Sequence, residues 1–119
     1  MVFFLNFTHL FITKYNFKLL VIGDSSFCIE NLDLEAISWS KETEVTDLQR
    51  IDIGIYPLPN EEWVLGKSGL KALQYMALGI PTIASAIGAN FRVIENGISG
   101  TLVDSDNQWK EAIEKYILN

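Results

Sequence analysis

The chain has 119 residues, 49% hydrophobic and 20% charged, with a formal net charge of −6. That length supports one domain with a real core, and the composition excludes a disordered chain. Nine scattered Lys and Arg exclude a nucleic-acid binder built on a basic patch, while a single Cys28 and a single His9 make neither a disulfide nor a zinc site, so a reduced, cytoplasmic setting is expected.

The N-terminal run MVFFLNFTHLFITKY is greasy, but it has no basic n-region or small-residue cleavage site, and Asn6, Thr8, His9, Thr13 and Lys14 interrupt it. It is no signal peptide, and it falls short of the ~18 apolar residues that a spanning helix needs. A packed helix over about 3 to 15 is the reading. Phe3, Phe4, Phe7 and Phe11, with Leu5, Leu10 and Ile12, leave that helix almost no polar face. Self-association through residues 2–12, most simply as a symmetric dimer, is therefore expected.

FKLLVIG, 17–23, is a short apolar run ended by Gly23-Asp24, as a buried parallel strand reads. LEAIS, 34–38, is a second strand, and Thr43 is placed to cap a helix through about Arg50. IDIGIYP, 51–57, is a third strand, stopped by Pro57 and Pro59. A loop with Asn60, Glu61 and Glu62 leads to a helix over about 68 to 78, with Leu70, Leu73, Ala77 and Leu78 as its apolar stripe and Gly79 as its stop. PTIAS, 81–85, and GTLVD, 100–104, are the fourth and fifth strands. Ser105 and Gln108 form a capping box for the last helix, whose face is Trp109, Ala112, Ile113, Tyr116 and Ile117.

Alternating strands and helices predict an α/β domain over 1–119, with a mostly parallel sheet of about five strands. Ligands of such sheets sit beyond the carboxyl ends of the strands, here the loops 23–26, 38–41, 57–69 and 85–90. Gly66-Lys67-Ser68 looks like the end of a P-loop, but Glu61 stands where that motif needs its first glycine. What survives is a Gly/Lys/Ser loop running into a helix N-terminus, which attracts anions. Cys28 has no sequence context of a nucleophile.

The ordered set GKSGLKALQYMALGIPTIASAIGANFRVIENGISGTLV, 66–103, preceded by EVTDLQRIDIGI, resembles the C-terminal, nucleotide-sugar-binding half of group 1 (family 4) GT-B glycosyltransferases. The resemblance covers 17–119 and implies a Rossmann-like three-layer domain. It implies a hexosyltransferase of polysaccharide biosynthesis that needs no cofactor or metal and uses a UDP- or GDP-sugar with a glycan or lipid-linked acceptor. It also implies retention of stereochemistry. Lipid-linked acceptors leave peripheral attachment of the parent enzyme to a membrane as an open alternative. By resemblance, Lys67, Ser68, Gly69 and Lys71 face the donor diphosphate, and Gly88-Ala89-Asn90 forms the second donor loop. Trp39, Ser40 and Gln74 then face the nucleoside. For Lys67 the alternative is a solvated surface lysine; for Gly88-Ala89-Asn90, a plain strand-to-helix turn with Asn as a cap; for Trp39, packing on a neighbouring helix. The roles of Asp24 and Ser25 stay open.

Three departures stand out. The family's two glutamates, eight positions apart, correspond to Gly66 and Gln74. Gln74 still bonds a ribose, whereas Gly66 cannot replace a carboxylate, so either Glu61 or Glu62 reaches the sugar or the donor is read differently. Arg92 stands where an acidic residue is common. Nothing before residue 17 corresponds to the acceptor-binding N-terminal domain, so the chain reads as a truncated donor half, inactive in transfer alone. The competing reading is a non-catalytic binding module. A receiver-like signalling domain lacks its acidic cluster.

Overall fold

A computed structural model describes residues 17–23, 25–28, 33–58 and 61–118. The expected first helix, with His9 and the self-association surface, lies outside these residues, as do Asp24, Pro59 and Asn60. The chain divides into two compact units, Phe3–Ile51 and Asp52–Asn119.

In the first unit, β1 (Leu19–Ile22) pairs in parallel with β2 (Leu34–Ile37), Leu19 opposite Leu34 and Ile22 opposite Ile37. The Gly23 amide extends the ladder by donating to the Ile37 carbonyl at 2.8 Å. α1 (Glu44–Leu48) follows and buries Leu48. Thr43 does not cap it as the sequence predicts. Its φ of −114° and ψ of 0° are not the extended conformation that aims a capping hydroxyl at the first turn, and its side chain makes no cap bond. Arg50, just past α1, makes a two-pronged bond to Glu35 of β2, at 2.6 and 3.0 Å. Lys18 reaches the same carboxylate at 3.2 Å.

The second unit is a three-layer block. β3 (Gly54–Tyr56), β4 (Thr82–Ser85) and β5 (Thr101–Val103) form a parallel sheet with β4 in the centre. Every residue of β4 is buried, its polar Thr82 and Ser85 included, whereas β1, which the sequence reads as a buried strand, is only partly buried. The pleat sends alternate rows to opposite faces. Ile83 packs with Ile55, Val103 and Ala112, under α4 (Asp106–Leu118). Ala84 packs with Tyr56, Leu102, Ala72 and Ile94, under α2 (Leu70–Ala77) and the short α3 (Asn90–Val93). The α/β class and the five parallel strands agree with the sequence reading; the strands lie in ladders of two and three rather than in one sheet.

The ends of α2 and α4 follow local chemistry. Gly79, at φ 73°, closes α2 in a Schellman motif, with its amide on the Met76 carbonyl and the Ile80 amide on the Tyr75 carbonyl at 2.9 Å. The Ser105 hydroxyl accepts from the Gln108 amide at 3.2 Å, while the Gln108 side chain accepts from the Asp104 amide at 2.7 Å. This is the anticipated capping box displaced by one residue in its return bond. Trp109, Ala112, Ile113 and Tyr116 form the packed face of α4, as predicted.

The stripe of α2 is a correction. Ala72 and Tyr75 are buried and Met76 packs beside them, whereas Leu70, Leu73 and Ala77 are exposed. The cause lies across the sheet. Gly54 has no side chain, and a Cβ there would lie 2.5 Å from the Tyr75 ring. The tyrosine fills that space and donates its hydroxyl to the Ile55 carbonyl at 3.0 Å, which fixes the rotation of the helix.

Candidate functional site at the carboxyl ends of β3 and β4

Two of the loops expected to carry function are joined by one side chain. Ser85, the last residue of β4, accepts from the Leu58 amide at 2.7 Å and donates to the Leu58 carbonyl at 3.2 Å. The loop leaving β3 is thereby riveted to the end of β4. The Ser85 carbonyl accepts from the Asn90 side-chain amide at 2.9 Å and from the Ile87 amide at 2.9 Å. Gly88, at φ 56°, makes the intervening turn.

Asn90 opens α3 and is buried, so it is a brace inside the unit rather than a surface group; Ala89 is the cap residue. Its Oδ1 is buried and has no hydrogen-bond partner among the described residues. That oxygen lies close to the start of α2. A Cβ on Gly69 would sit 3.5 Å from it and 2.8 Å from Cγ2 of Val93. Gly69 also holds φ 77°, so both its backbone and its neighbours exclude a side chain. The loops 85–90 and 66–69 therefore meet in direct contact.

α2 begins at this junction with no side-chain cap and no acidic residue in its first turn. Helix geometry leaves its first amides without helical partners, and the dipole makes that end partly positive. Lys67 and Ser68 are exposed beside it, and Lys71 and Gln74 are half-buried on α2. From Trp63 to Ile94 the chain contains no acidic residue but carries Lys67, Lys71 and Arg92, although the protein as a whole has 15 Asp and Glu. Lys67 and Lys71 thus put positive charge beside the start of α2, after Glu61 and Glu62 in the approach to it.

The approach to α2 is a 3-10 turn, Glu62–Gly66, that periodicity does not reveal. Glu61 and Glu62 are both exposed, and Glu61 accepts a hydrogen bond from the Trp63 indole N–H. The Lys67 ammonium stands over the same indole, 5.5 Å from its centroid.

Trp39 and Ser40 lie in the first unit, ahead of α1. The exposed Trp39 indole donates to the Glu44 carboxylate, and the Ser40 hydroxyl donates to Glu42 at 2.8 Å. That hydroxyl, then a backbone amide, pushes the Glu42 carboxyl below its ordinary range. Ser25 is exposed in the turn after β1, and Cys28 is free and exposed. Among the described residues no three His, Cys, Asp or Glu form a group that could hold a metal, and no helix is long and apolar enough to cross a membrane.

The family model of glycosyl transferases, group 1, matches the whole chain, residues 1–119. The chain belongs to this family. No curated protein and no solved structure matches it. In this group 1 glycosyltransferase, Ser85 and Trp63 are the structurally engaged residues that sequence reasoning missed. A serine ending a strand and an indole four residues after a proline carry no motif of their own. The absence of Asp and Glu across 63–94 was a readable signal.

Proposed function

We propose that the second unit of this group 1 glycosyltransferase is a donor-binding unit of GT-B type, which takes a nucleoside-diphosphate sugar at the N-terminus of α2. The observation that carries the reading is the uncapped start of α2, with Lys67 and Lys71 beside it and no acidic residue in its first turn, braced by Asn90 and Ser85. When the bond between the sugar carbon and the diphosphate oxygen breaks, negative charge grows on the leaving diphosphate. Helix amides fixed in place and a nearby ammonium stabilise that charge without reorganising during the reaction. Lys67 supplies the full charge and Ser68 a hydroxyl, while Gly69 lets the chain approach closely. Lys71 adds a second cation one helical turn on. The Gly88-Ala89 turn covers the other side, and Gln74 meets the ribose. The sugar carbon bonds to a hydroxyl oxygen of a glycan or lipid-linked acceptor, whose proton leaves to the departing diphosphate, with no metal required.

The test is titration of the purified protein with UDP, GDP and UMP by calorimetry, with NMR shift mapping. Saturable binding of a diphosphate, with shifts at residues 67–74 and 88–90, supports the proposal and identifies the base. Lys67→Ala should weaken diphosphate binding about tenfold or more, the worth of one charge-assisted contact, and leave UMP less affected. Absence of binding at millimolar nucleotide would overturn it.

A further inference from the structure

We propose that Trp63 is a positioning residue for Lys67, holding the ammonium on its ring face while its indole N–H occupies Glu61. The inference rests on the reading of Lys67 as a diphosphate contact. Trp63 is 57% exposed, so it is not placed by burial in a core. What fixes it is polar. Its N–H is given to the Glu61 carboxylate, and the Lys67 ammonium lies 5.5 Å from its ring centroid, within the range where a ring quadrupole attracts a cation.

The ring therefore stands between two opposite charges six positions apart in one exposed loop. Without it, a flexible lysine and a flexible carboxylate at that separation are free to pair, and the pair would cancel the charge meant for an incoming anion. An indole avoids this because its edge and face attract opposite signs. The carboxylate sits at the edge and the ammonium at the face, so Lys67 is kept from pairing with Glu61. An aliphatic side chain provides neither contact, and phenylalanine keeps the face alone.

The experiment has a readout that needs no ligand. Reductive ¹³C-methylation of the lysines gives one NMR signal per lysine, and the Lys67 signal is assigned by its loss in Lys67→Arg. In the unmodified sequence and in Trp63→Phe, ring current should shift that signal upfield of the other lysines. In Trp63→Leu it should return to the ordinary position. A Lys67 signal at the ordinary position in the parent protein would overturn the proposal. UDP affinity should then fall about two- to fivefold in Trp63→Leu, the worth of an exposed cation–ring contact, and recover when Glu61→Gln is added. Unchanged affinity in Trp63→Leu, or no recovery in the double variant, would also overturn it. If the parent protein binds neither UDP nor GDP, the donor reading fails, and the lysine signal still decides whether Trp63 positions Lys67. Far-UV circular dichroism of each variant should be unchanged, because the residue is exposed.

Discussion

Tyr75 shows how one side chain sets a helix. Its ring occupies the space left by Gly54 and its hydroxyl is given to the Ile55 carbonyl. Burial, and to a lesser degree the neighbouring Tyr56, pushes its ionisation up to about 12 from the ordinary 10.0. A phenol held neutral in the folded state contributes stability that is complete below the unfolded value and is lost as pH rises through the folded one. Between about pH 10 and 12 the protein should therefore lose roughly 2–3 kcal/mol from this group. Tyr75→Phe should lack that alkaline loss, and at neutral pH it should be about 1 kcal/mol less stable for want of the hydroxyl bond. Urea unfolding at both pH values measures the two effects together.

At the scale of elements, the charged staple of the first unit gives a prediction of opposite sign. Hydrogen bonds from Arg50, and next from Lys18, lower the Glu35 carboxyl from 4.5 to about 2. Its contribution to stability is complete above the unfolded value and disappears as pH falls from about 4.5 towards 2. The groups are exposed, so solvent screening keeps the effect small and added salt should shrink it further. Glu35→Gln should remove the corresponding acid-dependent loss from the unfolding curve. In the second unit, Leu70 and Leu73 point outward, so Leu70→Ser and Leu73→Ser should each change stability by less than about 0.5 kcal/mol. A loss of several kcal/mol would return those leucines to the core. Helix stops and strand existence were legible here because their chemistry is local: Gly79 must take a left-handed φ, and Ser105 lies three residues before Gln108. The rotation of α2 was not, because a small Ala72 and a Tyr75 outrank two leucines only once Gly54 is known to lie beneath them. That the Gly/Lys/Ser loop runs into a helix N-terminus was legible, whereas Asn90 as a buried brace depends on the position of the Ser85 carbonyl.

On the scale of the whole molecule, a net charge of −6 sits beside a stretch, 63–94, with no negative side chain at all. The overall field repels polyanions, and only a small anion can use the local cations at short range. A labelled 20-base-pair duplex should accordingly show no anisotropy change at about 100 µM protein in ~0.15 M salt, where phosphate-neutralising proteins bind non-specifically. Saturable duplex binding would contradict this. The same charge segregation has a practical side in peptide mapping. A glutamate-specific protease finds sites at Glu61, Glu62 and Glu95 and none between, so the segment from the Trp63 indole to the end of α3 leaves the digest as one basic fragment. A photoreactive donor analogue bound at the start of α2 would tag that single fragment, and the mass of one peptide would report the address of the ligand.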